Sequence, residues 1–185
     1  RPSTCCWIAC APTRPKAVAE RDRIARYFAP LACGEPGAFS LTDDAALLTP
    51  PPGKSLVITT DSVIEGIHVL AHATAQHYAQ KLVRRNLSDL AAMGASAWRY
   101  TLNLHTPSGL DDGWFAAWAD ALAQEQELFG CVLAGGDSTS GGSLIHTTAT
   151  FFGVIDGAPL RRSGAGIGDD VYVSGTLGDA AFALA

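Results

Sequence analysis

Five aspartates carry the chemistry that this sequence points to. Asp43 and Asp44 are adjacent, Asp61 follows Thr59-Thr60, Asp89 lies in a helical stretch, and Asp137 follows Gly135-Gly136. Each alone has an ordinary explanation. Asp44 can cap a turn, Asp61 can be a loop acid, Asp89 can pair with Arg85 at i,i+4, and Asp137 can belong to a turn. Taken together, carboxylates gathered at one edge of a sheet repel one another unless a cation sits between them, and such hard oxygen donors suit Mg²⁺. Neighbouring threonine hydroxyls and glycine-exposed backbone fit the same use.

Charge balance supports that direction. The chain has 185 residues, 48% hydrophobic and 17% charged, and a formal net charge of −5, with a mean hydropathy of +0.15. That composition suits one folded domain and excludes a disordered or collagen-like chain. It also lacks the clustered Lys and Arg that nucleic acid or an anionic membrane surface would require. An acidic protein that holds a polyphosphate needs metal ions to supply the positive charge.

Two phosphate motifs are weaker than they look. Pro52-Gly53-Lys54-Ser55 ends like a P-loop, but Leu48 stands where its first glycine belongs, and Leu56-Val57-Ile58 reads as strand where a helix should follow. Gly175-Thr176-Leu177-Gly178 lies between a strand-like and a helix-like stretch and is explained by a tight turn. Cysteine is equally uninformative about metals: Cys5, Cys6, Cys10, Cys33 and Cys131 form no C-x-x-C pair. Zinc or a disulfide framework is therefore not expected, and a reducing, cytoplasmic setting is. No apolar run reaches the roughly 20 residues that span a bilayer.

The elements that must position these acids follow from periodicity. Residues 1–19 read as an unstructured or foreign leader. Ile24, Tyr27, Phe28 and Leu31 form a helical stripe, and Ser55 to Thr60 reads as a strand with Asp61 at its end. Thr74 is placed to cap a long helix, with Ala79, Leu82, Val83, Asn86, Leu87, Leu90 and Met93 on one face and Gly94 as its stop. A strand through Trp98, Tyr100, Leu102 and Leu104 precedes a second helix that carries Phe115, Trp118, Leu122 and Phe129. Short strand Cys131 to Ala134 then leads into Gly135-Gly136-Asp137, and Ser143 to Ile155 is long, Thr-rich and alternating. Val171 to Gly175 reads as one more strand and Gly178 to Ala185 as a helix beginning. The expected fold is α/β (α+β), a mixed sheet flanked by helices. Both ends look cut, because Arg1 opens the chain and Met93 is the one methionine.

Five ordered blocks carry a family resemblance: Asp43-Asp44-Ala45-Ala46-Leu47-Leu48, Thr59-Thr60-Asp61-Ser62-Val63-Ile64-Glu65-Gly66-Ile67-His68, Asn86-Leu87-Ser88-Asp89-Leu90-Ala91-Ala92-Met93-Gly94-Ala95, Gly135-Gly136-Asp137-Ser138-Thr139 and Arg162-Ser163-Gly164-Ala165. From about residue 20 to its end the chain resembles the thiamine-monophosphate kinases, of the superfamily that includes aminoimidazole ribonucleotide synthetase and selenophosphate synthetase. The resemblance implies ATP-dependent, Mg²⁺-dependent phosphorylation of thiamine monophosphate to thiamine diphosphate. It implies metal roles for Asp44, Thr59, Thr60, Asp61, Asp89 and Asp137, nucleotide contacts for Gly136, Asp137 and Arg162, and a substrate contact for His68.

The same resemblance implies an ATP-binding N-terminal domain over 20–160 and the first strand and helix start of a second α/β domain over 161–185. The rest of that domain is missing, and the chain alone is expected to be inactive. A homodimer through the sheet is also implied, with 143–155 at the shared surface. No catalytic side chain is expected, because the acceptor phosphate is already ionised near neutral pH and needs no general base; transfer is direct, without a phosphorylated enzyme residue. Two departures stand out: Glu20-Arg21-Asp22-Arg23 replaces a Gly-Glu-Phe entry, and Thr42 precedes the paired acids where glycine is usual. The rival readings are a sister enzyme such as aminoimidazole ribonucleotide synthetase, and a non-catalytic ATP-binding or dimerisation module.

Overall fold

The computed structural model describes residues 20–182, so the leader expected over residues 1–19 lies outside the described residues. Four strands form one mixed sheet: β1 (Ser55–Ile64), β2 (Ser96–Thr106), β3 (Val132–Ser140) and β4 (His146–Ile155), in the spatial order β1-β4-β2-β3. β4 is antiparallel to both β1 and β2, and β2 and β3 are parallel. The parallel pair needs a crossover, supplied by helix α3 (Asp112–Phe129), while α2 (Ala75–Ala92) connects β1 to β2.

Both long helices pack on the same face of the sheet. Thr74 caps α2 by accepting from the His77 N–H at 3.3 Å, and the His77 ring returns the favour to the Thr74 N–H. At the far end of α3, Gly130 takes the left-handed conformation at φ 68°, the usual means of stopping a helix. Tyr78, Leu82, Val83 and Leu90 of α2 and Phe115, Trp118 and Leu122 of α3 are buried against Val63, Tyr100, Leu104 and Phe151 of the sheet. Tyr100 and Phe151, cross-strand partners, stack with centroids 4.8 Å apart. Asn86, the polar intruder on the α2 stripe, is fully buried and donates to the Leu82 carbonyl at 2.9 Å.

Among the described residues, no helix covers the other sheet face. Strand alternation sends Leu56, Ile58, Thr60 and Ser62 of β1 there, opposite Val154, Phe152, Thr150 and Thr148 of β4. Ile58 is 60% exposed.

Four local readings change in the structure. The first helical stripe is a succession of turns: an α turn α1 (Glu20–Arg23), a π turn over Ile24–Phe28 and a 3₁₀ turn over Ala29–Ala32. Pro30 lacks the N–H that a continuous helix needs, yet Tyr27, Phe28 and Leu31 are buried as the stripe requires. Strand β1 runs past Thr60 to Ile64, because β4 offers a partner for every residue, so Asp61 is inside the strand. Likewise Gly135-Gly136-Asp137 lies within β3. Residues 171–175 form no strand; Val171 and Tyr172 are exposed, and among the described residues no strand neighbours them to satisfy their backbone. A final short helix, α4 (Asp179–Phe182), follows.

Candidate functional site

Helix α2 lies over β1, and that packing creates the first group of acids. On β1, Thr59 and Asp61 are two residues apart and so point to the same, helix-covered face, while Thr60 between them points to the open one. On α2, Arg85 and Asp89 are four apart and lie on one side of the helix. The two rungs meet. Arg85 donates to both oxygens of Asp61, Nη2 to Oδ1 at 2.8 Å and Nε to Oδ2 at 3.2 Å, and Thr59 Oγ1 donates to Asp89 Oδ2 at 2.7 Å. Arg85 therefore chooses Asp61 below it over Asp89 on its own helix, because the planar guanidinium fork matches one carboxylate edge.

A second group lies at the opposite edge. The Asp43 loop, Gly136 and Asp137 border a cavity of about 170 Å³, whose other lining residues include Ile24, Phe28, Leu41, Leu102, Leu104 and Gly135. Just before the paired aspartates, Phe39, Ser40 and Leu41 hold φ values of 49°, 56° and 57°, a left-handed run that is strained for non-glycine residues. Thr42 itself returns to φ −105°, so the position needs no glycine. Gly136, by contrast, has no room for a side chain: a Cβ there would come within 1.9 Å of the Leu102 carbonyl oxygen.

Asp137 also borders a shallower polar hollow of about 220 Å³ on the open face, with Asn103, His105, Thr139, His146 and Thr148. His105 and His146 are cross-strand partners, and the His105 ring is hydrogen-bonded to Thr139 Oγ1 at 3.0 Å. Sequence reading assigned these residues no role, and it paired Arg85 with Asp89 where the structure pairs it with Asp61. Alternation along β2 marks His105 and Asn103 as outward, and the four-residue spacing marks Arg85 as a neighbour of Asp89; only the strand order shows which groups they face.

The remaining expected residues stand apart. Thr60 Oγ1 donates to the Ala149 carbonyl at 3.1 Å and accepts from Thr150 Oγ1 at 3.1 Å, on the open face. His68 lies past the end of β1, its Nδ1 accepting from the Ile64 N–H at 3.1 Å. Arg162 is exposed, in a 3₁₀ turn that begins two residues after Leu160, whose N–H is bonded to the Met93 carbonyl at the end of α2. Asp44 is exposed in the loop beside Asp43. Lys54, of the rejected P-loop, pairs with Asp156, and a strand follows it.

The structure thus brings Thr59, Asp61 and Asp89 together, and separately Asp43 with Gly136 and Asp137, while Asp44 is exposed in the Asp43 loop. It does not bring the two groups together, since β1 and β3 are the sheet's edges, three strand spacings or about 14 Å apart. Among the described residues, no three His, Cys, Asp or Glu side chains are grouped closely enough to hold a metal ion. The first group does fit Mg²⁺ in its donor chemistry, with two carboxylates and a hydroxyl, although both Asp61 oxygens are engaged by Arg85.

Comparison with known proteins agrees with this architecture. Residues 42–155 match the family model described as AIR synthase related protein, N-terminal domain. A thiamine-monophosphate kinase of Caulobacter vibrioides is 44% identical over 161 residues, which is 86% of this chain and 46% of the relative. The crystal structure of thiamine-monophosphate kinase from Stenotrophomonas maltophilia K279a superposes with a TM-score of 0.71 at 41% identity, over 78% of this chain and 45% of that one. A structure of AaThiL complexed with AMPPCP and TMP gives a TM-score of 0.65 at 29% identity, covering 74% and 43%. The chain spans about half the length of the curated relatives it matches. With the family model matched over more than half of its residues, the chain belongs to the AIR synthase related proteins, within their N-terminal domain.

Proposed function

We propose that this chain is the nucleotide-binding part of a kinase that transfers the terminal phosphoryl group of ATP directly to thiamine monophosphate, giving thiamine diphosphate. The observation that supports it most is the likeness to AaThiL complexed with AMPPCP and TMP, alongside the 44% identical kinase.

In this reading Thr59, Asp61 and Asp89 hold one Mg²⁺ site, and Asp44, Thr60 and Asp137, which stand outside that cluster, serve other ions of the set. Bound Mg²⁺ would offset the charge of two phosphates that must approach one another. Gly136 and Asp137 lie against the nucleotide, Arg162 offsets phosphate charge, and His68 contacts the substrate. The acceptor oxygen is ionised near neutral pH, so the protein orients and neutralises without supplying a nucleophile. Two copies pair through the open face, removing Leu56, Ile58 and Phe152 from water. Residues 20–160 act as the ATP-binding domain and 161–185 open the next. Free thiols at Cys33 and Cys131 suit a cytoplasmic location, and among the described residues no helix is long and apolar enough to cross a membrane.

A second reading is a sister enzyme acting on an aminoimidazole precursor, favoured by the family model's description. The full-length protein, incubated with ATP and each substrate in turn, separates the two. Formation of thiamine diphosphate from thiamine monophosphate is the expected result; ATP consumption with the aminoimidazole precursor alone would establish the other.

A further inference from the structure

The acid group between β1 and α2 carries its own cation. Arg85 occupies both oxygens of Asp61, and Thr59 donates to Asp89. The groups facing this point are thus one cation and two carboxylates, and each acid is satisfied from within the protein. Their net charge is −1 with Arg85 in place and −2 without it. A divalent cation arriving at Asp61 meets a like charge already there, at hydrogen-bond distance from the same oxygens.

We propose that Arg85 is a resident competitor for the divalent cation: it occupies Asp61 in the metal-free protein and must swing away for the ion to bind. This rests on the reading of Asp61 as a metal ligand. Like charges sharing one carboxylate repel strongly, and two hydrogen bonds have to be given up before both oxygens are free. The side chain is able to leave, because the pair lies at the surface: Arg85 is 35% exposed and Asp61 25%. Release places the guanidinium in water at little cost. Arg85 then sets the threshold of divalent cation at which the site fills, while it holds α2 to β1 in the metal-free state. Its role is positioning.

The test is a Mn²⁺ titration, followed calorimetrically, of the full-length protein and of the R85M, R85K, D61N and D61N/R85M variants, with thermal unfolding of each. R85M is expected to bind Mn²⁺ about tenfold more tightly than the parent, and R85K, a point charge that cannot fork across both oxygens, to fall between. Without metal R85M unfolds at a lower temperature, and saturating Mn²⁺ removes the difference by linkage. D61N weakens Mn²⁺ binding, and adding R85M to it brings no tightening. Unchanged or weaker Mn²⁺ binding by R85M, with D61N still weakened, overturns the competition and leaves the metal reading standing. Unchanged binding by D61N overturns the metal reading and the competition with it. Should R85M fail to fold, R85K alone decides: tightening supports the proposal, and its absence refutes it.

Discussion

Thr59 of β1 and Asp89 of α2 share a 2.7 Å hydrogen bond although 30 residues separate them. That contact, beside the Arg85–Asp61 pair, ties the first strand to the first long helix through polar groups on the rim of an otherwise apolar interface. Replacing Thr59 by valine keeps the shape and removes the donor. The expected cost is about 1 kcal/mol, below the roughly 1.5–3 kcal/mol of hydrogen bonds to charged groups because water reaches this one, measured by urea denaturation. Asp89→Asn, whose amide oxygen still accepts, should cost less.

Two adjacent glycines should respond oppositely. A Cβ at Gly136 would strike the Leu102 carbonyl oxygen, whereas one at Gly135 meets nothing within 4 Å. Gly136→Ala therefore forces β2 and β3 apart and is expected to cost on the order of 3 kcal/mol. Gly135→Ala should leave the thermal midpoint within a few degrees of the parent. Equal effects would mean that the close approach of β3 to β2 is not what requires glycine here.

Arg84 and Glu125 pin α2 to α3. Both guanidinium bonds reach the carboxylate, at 2.9 and 2.7 Å, and the Glu125 side chain is only 3% exposed while Arg84 is 51% exposed. Arg84→Ala strands a buried carboxylate and is expected to destabilise by about 2 kcal/mol, below the range for fully buried pairs because water reaches one side. The double variant Arg84→Met, Glu125→Leu should recover much of that loss in chemical denaturation.

Cys131 gives the pH dependence. Burial pushes its thiol up from 9.0 to about 11, with a smaller upward push from Glu125, against opposing effects of its own backbone bond and Arg99. The unfolded chain therefore releases that proton first. The stabilisation is complete below pH 9 and is lost as pH rises toward 11. Cys131→Ala should make the alkaline slope of stability shallower from pH 9 upward, leaving the part that comes from the Tyr78 and Tyr100 hydroxyls, which burial also pushes up. At pH 8 a thiol reagent should modify exposed Cys33 and leave buried Cys131 untouched, as read by peptide mass spectrometry; rapid labelling of Cys131 in the folded protein would contradict this.

Periodicity made the helices and strands legible, because α2, α3, β2 and β4 each bury one regular face. It could not show that Asp61 sits inside a strand, since the length of β1 is set by its pairing with the ten residues of β4. Nor could it show which acids meet. Thr59 with Asp89, and Arg85 with Asp61, depend on α2 folding back over β1, whereas Asp137 is carried to the other edge by the order β1-β4-β2-β3. The strand read at Val171 to Gly175 had the right composition but finds no partner among the described residues. Sequence pattern reports what a segment can bury, and pairing decides whether it does.

The most direct test of the proposed chemistry is thiamine diphosphate formation by the full-length protein, with ATP and thiamine monophosphate, across a Mg²⁺ titration, beside its Asp61→Asn variant. The account predicts turnover that vanishes without divalent cation and falls by at least about a hundredfold in the variant, roughly 2.7 kcal/mol of lost transition-state stabilisation. Parent-level turnover by Asp61→Asn, or full turnover in a chelator, would contradict it.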